Sequence, residues 1–239
     1  MSDGKPAVVL VHGAFAESAS WNPVIERLRE KSLDVTAVAN PLRSVAGDAA
    51  YVRDVIASIG KPVVLVGHSY GGIVITEAAA GNEAVIGLSY VAAFAPEQGE
   101  SAFELSGKFP GSTLADALVA YPLATGGNEF AIAKDSFHQQ FAADVAASEA
   151  AVMAATQRPV TEIALTAGLA TDRPAWKTIP SWFVFGSEDR NIPAELQRFM
   201  AERAGSRGTR EIAGASHALS VSCPDAVAAA ILDTAGVSG

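Results

Sequence analysis

Six short apolar runs constrain this chain more than any other feature. Ala7–Val11, Leu33–Val38, Pro62–Val66, Ile86–Ala92, Ser181–Phe185 and Thr209–Ile212 are built mostly from Val, Ile, Leu and Phe, without polar alternation. A strand with one wet face alternates apolar and polar residues, whereas a strand covered on both faces does not. Segments of helical period lie between the runs. Asn22–Glu30 places Val24, Ile25 and Leu28 on one face, and Asp48–Ile59 does the same with Tyr51, Val52, Val55, Ile56 and Ile59. Pro193–Arg203 and Pro224–Thr234 each open on proline, whose fixed φ and missing N–H suit a first helical turn. This alternation predicts an α/β fold built on a doubly wound, mainly parallel six-stranded sheet. With 239 residues, 49% of them hydrophobic, the chain can bury roughly 70% of its unfolded surface without a covalent staple.

One stretch breaks the alternation. Residues 96–175 contain no convincing buried strand, and a bare loop of that length is improbable in a compact domain. Helical patterns at Asp135–Phe141 and Ala146–Thr156 predict a largely helical cap inserted into a core made of residues 1–95 and 176–239. Such a cap would cover the carboxyl edge of the sheet, where α/β proteins bind ligands.

The chemistry concentrates at Val66-Gly67-His68-Ser69-Tyr70-Gly71-Gly72, between the third run and the helical Ile73–Ala80. Gly-x-Ser-x-Gly in a strand–turn–helix context marks a turn so tight that side chains at Gly67 or Gly71 would strike neighbouring backbone. The turn raises the Ser69 hydroxyl above the sheet, at the amino end of a helix that favours developing negative charge. A serine needs a base to take its proton. Of the four histidines, His217 lies in a small-residue loop after the last run and is the expected base. His12 ends the first run, His68 is read as a packing neighbour of the turn, and His138 as a solvated residue of the cap. Asp189, just past the fifth run, is the expected acid, with Glu188 and Glu97 as competitors. The N–H groups of Ala14 and Tyr70 are the expected oxyanion donors, Gly13 letting the first loop approach closely. If the strand order is 2-1-3-4-5-6, both loops flank the switch point of the sheet.

At these residues the chain resembles the α/β-hydrolase superfamily, and within it the small esterases and lyases that include plant methylesterases and hydroxynitrile lyases. The matching pieces are Leu10-Val11-His12-Gly13-Ala14, Trp21, Leu65-Val66-Gly67-His68-Ser69, Val91-Ala92-Ala93-Phe94-Ala95-Pro96, Arg158-Pro159, Asp189 and His217. The resemblance implies Ser69, Asp189 and His217 as nucleophile, acid and base, and Ala14 and Tyr70 as oxyanion donors. Hydroxynitrile lyases of this group carry threonine where Gly13 stands and lysine where Ala218 stands. Without an ammonium to receive cyanide, the resemblance favours ester hydrolysis. Dehalogenases and epoxide hydrolases carry aspartate in place of Ser69.

The expectation is a serine esterase of small carboxylic esters or lactones that needs no cofactor and no metal. A carbon–carbon lyase, a cofactor-free haloperoxidase and a non-catalytic small-molecule receptor are the competing readings. Phe15, Phe94, Met153 and Trp176 are expected to line the substrate pocket, with packing inside the cap as the competing role for Met153 and Trp176. Single Cys223 excludes an internal disulfide framework. Lys+Arg 17 against Asp+Glu 26 leaves a formal charge of −9, which argues against nucleic acid and anionic membrane surfaces as partners. The polar start Met1–Pro6 and the lack of any long apolar run predict a soluble, cytoplasmic protein. Nothing in the sequence decides oligomeric state, and a homodimer stays open.

Overall fold

The computed structural model describes residues 4–237. Its first part alternates strand and helix: β1 (Ala7–Val11), α1 (Asn22–Glu30), β2 (Asp34–Val38), α2 (Val45–Ile59), β3 (Val63–His68), α3 (Gly71–Ala79) and β4 (Val85–Val91). Next come α4 (Ala102–Ser106), α5 (Leu114–Ala117), β5 (Leu118–Pro122), β6 (Asn128–Ile132), α6 (Phe137–Phe141), α7 (Ala147–Thr156), β7 (Val160–Thr161) and α8 (Glu162–Thr166). The alternation then resumes with β8 (Ser181–Gly186), α9 (Ala194–Arg203), β9 (Gly208–Ile212), α10 (Leu219–Ser222) and α11 (Pro224–Ala235). Six strands form one sheet in the order β2-β1-β3-β4-β8-β9, and all its pairings are parallel. This is the α/β-hydrolase fold, and the strand order is the expected one.

Burial explains the strand sequences. Along β1 and β3 successive side chains enter opposite layers: Val9, Val11 and Leu65 join one apolar cluster, while Val8, Leu10, Val64 and Val66 join the other. Val52, Ile56, Ile73, Leu196 and Met200 of α2, α3 and α9 close the first cluster. Val24, Leu28, Val227 and Ile231 of α1 and α11 close the second. All nine residues of α3 are buried, which suits a helix apolar on nearly every side. Burial on both faces does not extend to the sheet's edges. In β2 and β9 half-buried and exposed positions alternate, as Asp34-Val35-Thr36-Ala37 and Gly208-Thr209-Arg210-Glu211-Ile212 show. Edge strands keep one face partly wet, so polar residues are tolerated there. Helix α2 also starts three residues before its apolar stripe, because the Ser44 hydroxyl caps it by accepting from the Gly47 N–H at 3.1 Å.

Residues 96–175 are less helical than their sequence suggests. They contain a three-stranded antiparallel sheet, β5-β6-β7. Most of β5 is exposed and β7 has two residues, so neither carries a buried apolar run. The two ends of the segment meet at a neck. The Trp176 Nε1–H donates to the Pro96 carbonyl at 2.9 Å, and Lys177 pairs with Glu97 at 2.6 Å. Gly99 donates to the Leu169 carbonyl at 2.9 Å, and Leu169 to the Glu100 carbonyl at 3.0 Å. A further tie joins the segment to the β2–α2 loop, where Arg43 pairs with Glu129 and accepts from the Thr161 hydroxyl at 2.7 Å.

Position within the sheet should decide the cost of truncation. Phe183 is 1% exposed and stacks on Tyr90 at 4.6 Å, whereas Ile86, on the same sheet, is 44% exposed. Phe183→Ala is expected to lose about 3–5 kcal/mol, and Ile86→Ala under about 0.5 kcal/mol. Urea unfolding with unchanged m-values measures both, and equal losses would contradict the layer assignment.

Candidate active site

The turn after β3 is built by close contact of backbone segments. A Cβ at Gly71 would lie 2.4 Å from the Val11 carbonyl oxygen, and one at Gly67 would lie 2.6 Å from the Gly71 oxygen. Neither position admits a side chain. Ser69 sits at φ 55°, in the left-handed region, and its N–H donates to the Ala92 carbonyl at 3.1 Å. Its own carbonyl accepts from Gly72 at 2.9 Å and from Phe94 at 3.2 Å. The strained residue is thus tied into the end of β4 on one side and the start of α3 on the other.

A second close approach brings the β1 loop to the same point. A Cβ at Gly13 would meet the His68 oxygen and the Ser69 Cβ, each at 2.6 Å, and the Tyr70 nitrogen at 3.1 Å. The N–H groups of Ala14 and Tyr70 therefore flank Ser69, and neither donates to a protein acceptor among the described residues. Tyr70 is anchored through its side chain, whose hydroxyl donates to buried Asp48 at 2.9 Å. Burial raises both groups, which keeps the phenol protonated and able to donate.

His217 and Asp189 meet as expected. The His217 Nδ1–H donates to Asp189 Oδ2 at 2.7 Å, with the two side chains 1% and 0% exposed. Asp189 also accepts from the N–H groups of Asn191 at 2.8 Å and Ile192 at 2.9 Å, and from Gln197 Nε2 at 3.1 Å. A carboxylate holding four donors is fixed in place. With the proton on Nδ1, His217 Nε2 presents a lone pair, and that buried atom has no hydrogen-bond partner among the described residues. Glu97 is engaged with Lys177 at the neck, away from this pair.

The other histidines are structural in their contacts. His68 lies with its ring 4.7 Å from that of His217, and its Nε2–H donates to the His217 carbonyl at 3.0 Å. Its ring also packs edge-on against Trp21. His12 donates from Nδ1 to the Gly13 carbonyl at 2.9 Å, and half-buried His138 reaches the Val145 carbonyl at 2.9 Å. Burial pushes His12 down to about 4, and burial with the neighbouring His217 holds His68 well below its ordinary value.

A cavity of about 530 Å³ opens above Ser69. Ala14, Phe15, Ser69, Tyr70 and Phe94 line it from the sheet, and Phe103, Leu118 and Leu165 face them from the inserted segment. Two expected lining residues lie elsewhere. Trp176 is committed to the neck, between Pro96 and the guanidinium of Arg203 at 5.6 Å. Met153 borders a separate cleft of about 200 Å³ on the far side of Phe15, with Glu149, Val152 and Gln157. Asn191 and Ile192 line the cavity without having been expected to, although their position right after Asp189 was a usable signal. Gln197, Phe141 and Phe103 gave no such signal, since only the folded chain brings them to the site.

The buried neutral histidines make stability depend on pH. Both folded-state values lie below the unfolded value of about 6.5, so the unfolded chain takes up protons first on acidification. The contribution is complete above about pH 6.5 and is lost as pH falls toward about 4. For His12 alone the loss between pH 7 and pH 5 is on the order of 2 kcal/mol. Urea unfolding at the two pH values should show the drop, and His12→Gln should shrink it. A flat profile in the wild-type protein would contradict neutral burial.

Comparison with known proteins agrees with the fold. A model of the alpha/beta hydrolase family matches residues 8–230. The chain is 29% identical over 254 residues to alpha/beta hydrolase nvfD of Aspergillus novofumigatus, covering 97% of both chains. Among solved structures, polyneuridine aldehyde esterase superposes with a TM-score of 0.81 at 22% identity, covering 96% of this chain and 98% of that one. The pyrethroid hydrolase PytH superposes with a TM-score of 0.78, also at 22% identity, covering 97% and 98%. This chain belongs to the alpha/beta hydrolase family.

Proposed function

We propose that the protein is a serine esterase that cleaves small carboxylic esters or lactones through an acyl-enzyme. The observation that carries this reading is the His217 imidazole. Its Nδ1–H is committed to Asp189 at 2.7 Å, and its Nε2 lone pair is buried without a partner. An imidazole held in that tautomer is a base waiting for an acidic hydroxyl. Ser69 is the hydroxyl raised into the same region by a left-handed turn. The esterases and hydrolases among the structural neighbours, named for polyneuridine aldehyde and pyrethroid, support the same class.

In the proposed reaction Ser69 Oγ forms a bond to the ester carbonyl carbon while His217 Nε2 takes its proton. The carbonyl oxygen becomes an oxyanion, received by the N–H groups of Ala14 and Tyr70 and favoured by the amino end of α3. As the tetrahedral intermediate collapses, the alcohol leaves with the proton from His217. A water molecule then attacks the acyl carbon, giving its proton to His217, and collapse returns the acid and the Ser69 hydroxyl. Asp189 stabilises the imidazolium formed in each half and does not itself take a proton. The largely apolar cavity holds the acyl or alcohol group, with Phe15 and Phe94 on the sheet side.

Ser69→Ala should abolish labelling by a fluorophosphonate and reduce hydrolysis of nitrophenyl acetate by about 10⁴-fold, with the fold unchanged. Asp189→Asn should keep a hydrogen bond to His217 but favour the wrong tautomer, lowering kcat by about 10⁴-fold. Turnover by Ser69→Ala within tenfold of wild type would overturn the nucleophile assignment. Labelling of the wild-type protein without turnover of any ester would favour the receptor reading.

A further inference from the structure

The His217 loop has no regular structure of its own to hold it. Residues 213–218 lie between β9 and α10 outside any strand or helix. The sheet side fixes Ala215, whose carbonyl accepts from the Glu188 N–H at 3.0 Å, and the His217 carbonyl, which accepts from His68 at 3.0 Å. Ser216, between them, is held from the inserted segment. Asp144, between α6 and α7, accepts from the Ser216 N–H at 3.1 Å and from the Ser216 hydroxyl. That hydroxyl oxygen in turn accepts from the Ala218 N–H at 3.3 Å. Ser216 is therefore fastened to that carboxylate directly and Ala218 through the Ser216 hydroxyl, and Phe141 sets its ring edge-on against the imidazole at 4.9 Å.

We propose that Asp144 is a positioning residue for the base, so that the inserted segment sets proton-transfer geometry as well as facing the cavity. This rests on reading His217 as the base of a Ser69 esterase. Asp144 is exposed while Ser216 is 3% exposed, so the carboxylate reaches inward from the surface to a buried hydroxyl. Such a contact contributes little to burial. Its effect is orientational: hydrogen bonds to an ionised acceptor are short and directional, and two from one residue fix both its position and its rotation. Without the carboxylate, the Ser216 hydroxyl keeps only the longer contact to the Phe141 carbonyl at 3.3 Å, and its hold on the Ala218 N–H loosens. His217 is then held by Asp189 and His68, with the backbone on either side of it less firmly set. A displacement of about 1 Å in such a group costs on the order of 10²-fold in rate.

The test uses Asp144→Ala, Asp144→Asn, Ser216→Ala and the Asp144→Ala/Ser216→Ala double variant in the full chain. Fluorophosphonate titration counts competent sites, and nitrophenyl acetate hydrolysis is expressed per titrated site. Asp144→Ala should lower kcat per site by about 10- to 100-fold with KM within about twofold. Asp144→Asn should recover part of the loss, because its amide oxygen still accepts one hydrogen bond. The double variant should be no slower than the slower single variant, since both changes break one link. A brace that only stabilises the fold would lower the melting temperature or the number of competent sites and leave the rate per site unchanged. A per-site kcat within twofold of wild type, or a loss confined to KM, overturns the proposal. If Asp144→Ala does not fold, Asp144→Asn and Ser216→Ala decide by the same criterion. Ser69→Ala run in parallel separates the two readings: if it retains turnover, the esterase reading fails before Asp144 is judged.

Discussion

At the carboxyl edge of the sheet three backbone segments meet with no room for a side chain between them. Gly13 from the first loop, Gly71 from the turn and the Val11 carbonyl lie within contacts that a single methyl would break. The left-handed conformation of Ser69 is affordable only because this packing over-determines it. Hydrogen bonds to the end of β4 and the start of α3 leave the serine one conformation, and the same contacts place two unused N–H groups beside it. Strand order matters for the same reason. With β1 and β3 adjacent and running parallel, the loops leaving them emerge side by side, and two local turns become one site.

Three buried histidines differ in what their rings meet. His12 and His68 each meet one backbone carbonyl, whose hydrogen bond only partly offsets burial, and both stay neutral. Only His217 has a carboxylate against its ring, and that carboxylate is itself saturated with donors. The two neutral rings wall the site, and His68 adds a hydrogen bond to the backbone of the residue it adjoins.

Much of this was legible in the sequence because the features concerned are local. A serine turn between an apolar run and a helical pattern, an aspartate after one run and a histidine after the next each stand at a strand end, so strand positions alone bring them to one edge. The alternation of edge strands, the small sheet of the inserted segment and the role of Trp176 are different in kind. Leu118–Pro122 is a strand because Asn128–Ile132 pairs with it, and its own residues are mostly exposed. Trp176, expected either at the pocket or packed inside the cap, has an indole N–H that answers a carbonyl eighty positions away. Asp144 was one acid among many. Nothing short of the folded chain joins it to Ser216.

The neck at Pro96 and Trp176 bears on how such a chain can change over time. Because the two ends of the insertion are hydrogen-bonded to each other, the sheet meets the same pair of anchor points whatever lies between them. Loop-closure entropy rises only logarithmically, by about 0.6 kcal/mol for each doubling of length, so residues can be gained or lost there at little thermodynamic penalty to the core. The restriction falls instead on the places where the segment bonds to the core, among them Arg43 with Glu129, Phe15 with Arg158, Gln140 with Arg190 and Asn191, and Ser216 with Asp144. New pocket shapes are open to drift between these points, while the attachments to the β1 loop, the β2–α2 loop, the loop after Asp189 and the His217 loop must travel with the scaffold.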